Sequence, residues 1–191
     1  PGIWKERGID NMSNERDVLT VCITSGSYPI VVNTNAVRPQ EFPRSYKDLL
    51  DPKWKGKIVM VDPTIPGAGG NQFGQLKIAY GLEYWEKMKQ QDVTFIRDFS
   101  EVGRRVAVGE SSVALGLGTT NVIAALNAGA PLKLLAAEEG AYIANLYMSL
   151  VNNAPHPNAA KVLINWILTR GGQEILSQTG TCEPLRKDVE Y

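Results

Sequence analysis

Histidine and cysteine are nearly missing from this chain: one His156, held in Ala-Pro-His-Pro, and two cysteines, Cys22 and Cys182, far apart in the sequence. None of them stands at metal-ligand spacing, so a zinc site is not expected. The cysteines leave two readings open, a disulfide formed in an oxidising compartment or two small buried apolar side chains. A charge of one sign is lacking too. Twenty basic residues balance twenty acidic ones, so no net field is available to hold nucleic acid or an anionic membrane. No apolar run approaches the roughly 18 residues of a membrane span. The opening stretch PGIWKERGIDNMSNERD lacks a basic region followed by an apolar one, and no signal peptide is read there. Nucleotide fingerprints are also missing: GAGGNQFG has no glycine at position 72, and neither a Gly-Lys-Ser/Thr ending nor a Gly-x-Ser-x-Gly turn occurs.

What is present is an ordinary globular composition, 43% hydrophobic and 21% charged over 191 residues, enough for one large or two small domains. VLTVCITSGSYPIVVNTNAV (18–37) reads as two strands separated by Ser-Gly-Ser. A Pro-rich connector follows, in which Pro39, Pro43 and Pro52 forbid long regular structure and Ser45 opens a short helix through Leu50. KIVMVDP (57–63) suits a strand buried on both faces of a parallel sheet. A glycine-bearing loop and helices over 71–80 and 82–89 come next, with Phe73, Leu76, Ile78 and Ala79 on an apolar face. Strand and helix recur at 93–96 and 100–108, then at 112–117 and 119–128, and a strand at 132–136 closes the series. Beyond Gly140, AYIANLYMSLV (141–151) is a longer strand. Residues 157–179 carry Val162, Leu163, Trp166, Ile167, Ile175 and Leu176 at helical spacing, with a break expected at Gly171-Gly172.

In open sheets of this alternating kind, ligands bind outside the carboxyl ends of the strands, where helix starts present unpaired N–H groups. That rule selects Thr64, Gly67, Ala68, Gly69, Gly70 and Asn71 after the first buried strand, and Thr119, Thr120 and Asn121 after the third. Glycines let a backbone approach a ligand, although they also serve plain turns, and a Thr before a helix is often only its cap. The acids Glu138-Glu139, Asp48 and Asp51 read as turn or solvated residues rather than proton-transfer groups. Arg97, Arg104 and Arg105 read as a solvated helix face. Tyr80, Tyr84 and Trp85 read as core or edge packing, and Trp54 as an anchor for the connector.

Four segments, YPIVVNTNAV, PRSYKDLLDPKWKGKIVMVDP, RRVAVGESSVALGLGTTN and SQTGTCEPLRKDV, together resemble the extracellular solute-binding proteins of ABC importers. The likeness is to the type II branch with ferric-ion, polyamine and phosphonate receptors, and it extends over about residues 18–191. It implies an α/β fold of two lobes joined by hinge strands, with the solute clamped between them as the lobes rotate. On this resemblance residues 1–43 are part of one lobe with a first hinge strand at 30–34. Residues 44–136 form a complete second lobe, and 137–191 hold a second hinge strand at 137–144 and the return to the first lobe. A preceding stretch of about a hundred residues, the size of a small domain, is lacking by comparison. Strands near 18–25 and 147–151 are therefore expected to expose edges and to pair with a second copy.

The resemblance further implies a periplasmic or extracellular receptor with an ABC permease as partner, no nucleic acid, no cofactor and no catalysis. Tyr142, at the second hinge, is expected to line the cleft. Ferric receptors of the family carry adjacent tyrosines where this chain reads Gly118-Thr119-Thr120-Asn121, so a small polar or anionic solute is expected ahead of ferric ion in a variant site. Two other classes share the scaffold, ligand-sensing regulatory domains of the LysR type and enzymes. No helix-turn-helix or basic patch supports the first, and no nucleophile with a base in reach supports the second.

Overall fold

The computed structural model describes residues 21–140, 143–178 and 184–190. The chain divides into two units, Ser27–Tyr142 on one side and Pro1–Gly26 with Ile143–Tyr191 on the other. The lobe limits expected at 43 and 136 both fall inside the first of these.

Within Ser27–Tyr142, continuous apolar runs become central strands. All four residues of β2 (Ile30–Asn33) and of β3 (Ile58–Val61) are buried, as are the three of β5 (Val113–Leu115). The edges are formed by β4 (Thr94–Ile96) and β6 (Leu132–Leu135), giving the order β4-β3-β5-β2-β6. β3 is parallel to β4 and β5, while β2 is antiparallel to β5 and β6. Successive side chains leave opposite faces of a strand, and the two cores follow that alternation. Ile30, Val32, Ile58, Met60, Val113 and Leu115 face one cluster, and Val31, Val59, Val61 and Ala114 face the other.

The first cluster is covered by α1 (Ala68–Tyr80) and α2 (Leu82–Met88), which bring Leu76, Tyr84, Trp85 and Met88. The second is covered by α3 (Phe99–Ala107) and α4 (Thr119–Asn127) through Val102, Val106 and Val122. β3 connects to β4 in one direction, and β4 returns past β3 to β5, so right-handed crossovers must place α1 and α2 on one face and α3 on the other. α1 starts three residues before the expected position. Its apolar face is narrower than expected as well, because Leu76 is buried but Ile78 is 89% exposed.

The Pro-rich connector forms single 3-10 turns, including Lys47–Leu50 in place of the expected short helix. Asp48 accepts the Arg44 and Ser45 N–H groups, and Asp51 accepts that of Lys53. Trp54 and Leu49 anchor this surface strap in the first core. Tyr46 fastens it further, because its hydroxyl donates to the Tyr28 carbonyl at 2.8 Å and its own carbonyl accepts from the Tyr84 hydroxyl at 3.0 Å.

In the other unit, β1 (Val21–Ser27) and β7 (Ile143–Met148) form a two-stranded sheet, so the two strands read from 18–37 belong to different sheets. α5 (Pro157–Ile167) and α6 (Arg170–Gln178) are separated at Leu168-Thr169. Gly171 and Gly172 therefore lie inside α6 and do not form the break. A Cβ at Gly172 would stand 2.3 Å from the Trp166 carbonyl oxygen, so that glycine admits the tight turn between the helices. Buried Gln173 closes the junction by donating to the Ile167 carbonyl and accepting from the Leu185 N–H. Ile164 and Ile167 are buried, whereas Val162, Leu163, Trp166 and Ile175 are exposed. Among the described residues no helix is long and apolar enough to cross a membrane.

Burial pushes the Tyr46 hydroxyl pKa up to about 12 and raises that of Tyr84 as well. A folded-state value above the unfolded one, near 10, means that the native state holds these protons more tightly. This contribution to stability is complete below about pH 10 and is lost as pH rises toward 12. Urea midpoints are expected to fall over that window, and Tyr46→Phe, which loses about 1–2 kcal/mol at neutral pH, should flatten the fall. An unchanged slope in the variant would contradict the assignment.

Candidate functional site

The parallel strands β3, β4 and β5 all end at the same edge of the sheet, with Val61 beside Ile96 and Met60 beside Leu115. The chain leaves β3 toward one side of the sheet and leaves β5 toward the other, so the point where crossovers diverge lies between these two neighbours. Such a divergence opens a crevice at the carboxyl ends of the strands. α1, α3 and α4 each begin at that edge, directly after β3, β4 and β5.

The three helix starts are not equivalent. α3 is closed by Asp98, whose carboxylate accepts the Ser100 and Glu101 N–H groups at 2.7 and 3.3 Å. α1 and α4 instead begin behind Gly67 and Gly118, neither of which has a capping side chain. First-turn N–H groups have no partner inside their own helix, and at these two starts no side chain replaces one. Asn121 turns inward, accepting the Gly118 N–H at 3.1 Å, which fixes the entry to α4. The Thr119 hydroxyl oxygen is buried and has no hydrogen-bond partner.

The starts of α1 and the β5-α4 loop pack closely. A Cβ on Gly69 would stand 2.4 Å from the Val61 carbonyl oxygen, and one on Gly116, at φ +76°, would stand 3.2 Å from the Gly69 Cα. Gln72, fully buried, ties them together: its Oε1 accepts the Gly116 N–H, while its Nε2 donates to the Tyr28 carbonyl at 3.3 Å and the Tyr46 hydroxyl at 3.1 Å. One residue earlier, the exposed Asn71 amide donates to the Tyr28 hydroxyl at 3.3 Å.

On the other side of α1, Asp62 Oδ1 accepts both the Thr64 N–H at 2.8 Å and the Thr64 hydroxyl at 2.6 Å. These bonds hold its carboxyl below the usual carboxylate range. Thr64 therefore shapes the loop as well as edging it. Arg97, the residue after β4, sits 3.8 Å from Asp62 Oδ2, and the Phe99 ring lies 3.3 Å from where a Gly67 side chain would begin.

Thus Thr64, Gly67, Ala68, Gly69, Gly70 and Asn71 gather with Thr119 and Asn121 at one edge of one unit. Of Thr120 only its place in the first turn of α4 is described, and Tyr142 lies outside the described residues. The sequence reading did not single out Tyr28, Gln72, Asp62 or Phe99. It also grouped Arg97 with Arg104 and Arg105, a grouping the structure dissolves. Arg104 and Arg105 belong to α3, where both pair with Glu101 and Glu110, whereas Arg97 precedes that helix at the sheet edge. Glu139 accepts a hydrogen bond from the Tyr80 hydroxyl. Tyr80 also lines a separate groove of about 430 Å³ with Lys47, Tyr84, Glu83 and Lys87, at the far end of α1 from the glycines.

The family model described as bacterial extracellular solute-binding protein matches residues 9–190, and the chain belongs to that family. An uncharacterized protein of Haemophilus influenzae is 25% identical over 145 residues, which are 74% of this chain and 42% of the relative. Among solved structures, a two-component system protein mediating signal transduction matches with a TM-score of 0.82 at 24% identity, covering 99% of this chain and 62% of that one. Iron-bound HitA of Pseudomonas aeruginosa matches at 0.79 and 21% identity, over 98% and 61%. AfuA of Actinobacillus pleuropneumoniae, with fructose-6-phosphate bound, matches at 0.75 and 20% identity, over 99% and 65%. The chain thus has the type II periplasmic-binding-protein fold and spans less than two thirds of the length of these relatives.

Because Gly69 has no room for a methyl group against the β3 carbonyl, Gly69→Ala is expected to cost about 2 kcal/mol or more. Urea denaturation reads this directly, and an unshifted midpoint would show that α1 can move off β3 freely.

Proposed function

We propose that this chain is the solute-receptor component of an ABC importer, gripping a small polar or anionic solute at the paired helix starts without altering it. The observation that carries the reading is the pair of side-chain-free caps at Gly67 and Gly118, on two segments that pack together through Gly69 and Gly116 where the crossovers diverge. Backbone N–H groups arranged in this way favour an oxyanion or a hydroxyl-rich solute. In this proposal Ser27–Tyr142 acts as one lobe. The second lobe includes β1, β7, α5 and α6, and Tyr142 is proposed as a further solute contact. Place of action is the periplasm or cell exterior, with an ABC permease as partner and no cofactor. The family membership and the periplasmic binding proteins among the structural relatives support this.

Ferric ion ranks lower, because Thr119 and Thr120 stand where a phenolate pair would be needed. Among the described residues no three His, Cys, Asp or Glu side chains form a metal-ligand group. Ligand sensing is a second reading, favoured by the likeness to the two-component protein. Isothermal titration against phosphate, phosphonates, carboxylates, polyamines and ferric citrate is expected to give one-to-one binding of an anionic solute that is recovered unchanged. Tight binding of ferric ion alone would reverse the order, and chemical turnover of the bound compound would end the receptor reading.

Among the described residues β1 and β7 each have one strand neighbour in their sheet, and we propose that their other edges pair with a second copy. Analytical ultracentrifugation at micromolar concentration should show a dimer, and a strict monomer would remove this proposal.

A further inference from the structure

The charge distribution around the α1 start goes further than backbone N–H groups. Five arginines with described side-chain contacts, Arg38, Arg104, Arg105, Arg170 and Arg186, are held by carboxylates at 2.6 to 3.4 Å. Arg97 differs. Its Nε approaches Asp62 Oδ2 only to 3.8 Å, outside hydrogen-bond distance, and its side chain is 76% exposed. Its location is also distinct. It follows β4 at the edge where β3 and β5 end, next to Asp62, whose N–H donates to the Ile96 carbonyl at 2.9 Å.

Asp62 is itself only 21% exposed, and one of its oxygens is filled by the two bonds from Thr64. It cannot turn to meet the guanidinium without giving up the Asx turn that shapes the α1 loop. Arg97 therefore lies near a fixed negative charge, loosely tethered by it, with its donor fork unused. A guanidinium presents a planar set of N–H groups that matches the two oxygens of a carboxylate or phosphoryl group.

We infer that Arg97 is the charged anchor of the solute site: it grips the oxyanion of a phosphoryl- or carboxylate-bearing solute while the α1 start binds the same group, and Asp62 holds it ready. This rests on the receptor reading above and adds a solute class to it. A neutral solute would leave the arginine idle. Asp62 stands as the cost of readiness, since its charge opposes the incoming anion across the same short distance.

The test uses the full 191-residue chain and four probes: inorganic phosphate, fructose 6-phosphate, succinate and fructose, each titrated calorimetrically in low salt. The phosphate probes and succinate separate phosphoryl from carboxylate recognition, and fructose supplies the neutral control. Arg97→Gln is expected to weaken the best-bound anion about tenfold or more, with an unchanged urea midpoint because the side chain is exposed. Arg44→Gln, which makes the same change in net charge, should leave affinity within about twofold. Asp62→Asn, which can still accept from Thr64, should tighten the anion several-fold. If an anion binds the parent chain and Arg97→Gln binds it equally well, or Arg44→Gln weakens it as much, the anchor assignment fails and the receptor reading stands. Weaker binding in Asp62→Asn overturns the assignment too, by making the carboxylate itself the contact. Binding of fructose alone sinks the oxyanion class, and no binding by any probe sinks both.

Discussion

The geometry of the sheet edge depends on Gln72, a polar side chain buried beneath it. Buried without solvent, its amide must satisfy donor and acceptor inside the protein, because an unpaired buried polar group costs on the order of 1–3 kcal/mol. It does so by joining three separate stretches of chain: the Gly116 turn after β5, the Tyr28 carbonyl before β2, and the Tyr46 hydroxyl in the Pro-rich connector. Hydrophobic packing places α1 against β3, but packing alone tolerates sliding. The amide sets the register of α1 against both loops, and the absence of side chains at Gly69 and Gly116 permits the approach. The orientation of the uncapped α1 start therefore follows from a residue that never reaches the surface.

The electrostatics of the site fit that rigidity. Neither uncapped helix start carries a carboxylate of its own, while the third start, that of α3, is neutralised by Asp98. Arg104, Arg105 and Glu101 of α3 form a partly exposed network with Glu110 just beyond it, in which the bond from Arg104 chiefly lowers the Glu101 pKa, to about 2. Exposed networks of this kind contribute little to stability.

Much of the fold was legible from the residues. Ile58–Val61, with no polar side chain, had to be a strand buried on both faces, and the alternation of short apolar runs with helical spacing announced crossovers. The glycine loop and the Thr-Thr turn were legible as helix starts at one edge because both follow strands of one parallel set. Less accessible were features that depend on partners distant in sequence. Nothing near Arg97 tells it apart from Arg104; only the pairing of β3 with β4 brings it to Asp62. Tyr28 and Gln72 read as ordinary neighbours of a strand and a helix until the fold sets them together. Gly171-Gly172 misled for a local reason: two glycines suggest a break, yet Gly172 is required where α6 presses on the Trp166 carbonyl. Ile78 stands two residues from Leu76, about 200° round the helix, and so on the solvent side rather than on the broad apolar face expected.

β2 has a kinetic consequence. It is the first strand of Ser27–Tyr142 to leave the ribosome, yet it lies between β5 and β6, with Val31 opposite both Ala114 and Leu134. Its two ladders close loops of most of the unit's length, which is the kind of topology that slows folding. During synthesis a stretch of Ile, Val and Val must wait, apolar and unpaired, until β6 is made. Escape from aggregation in that interval falls to chaperones or to the polar strap that follows it in the chain.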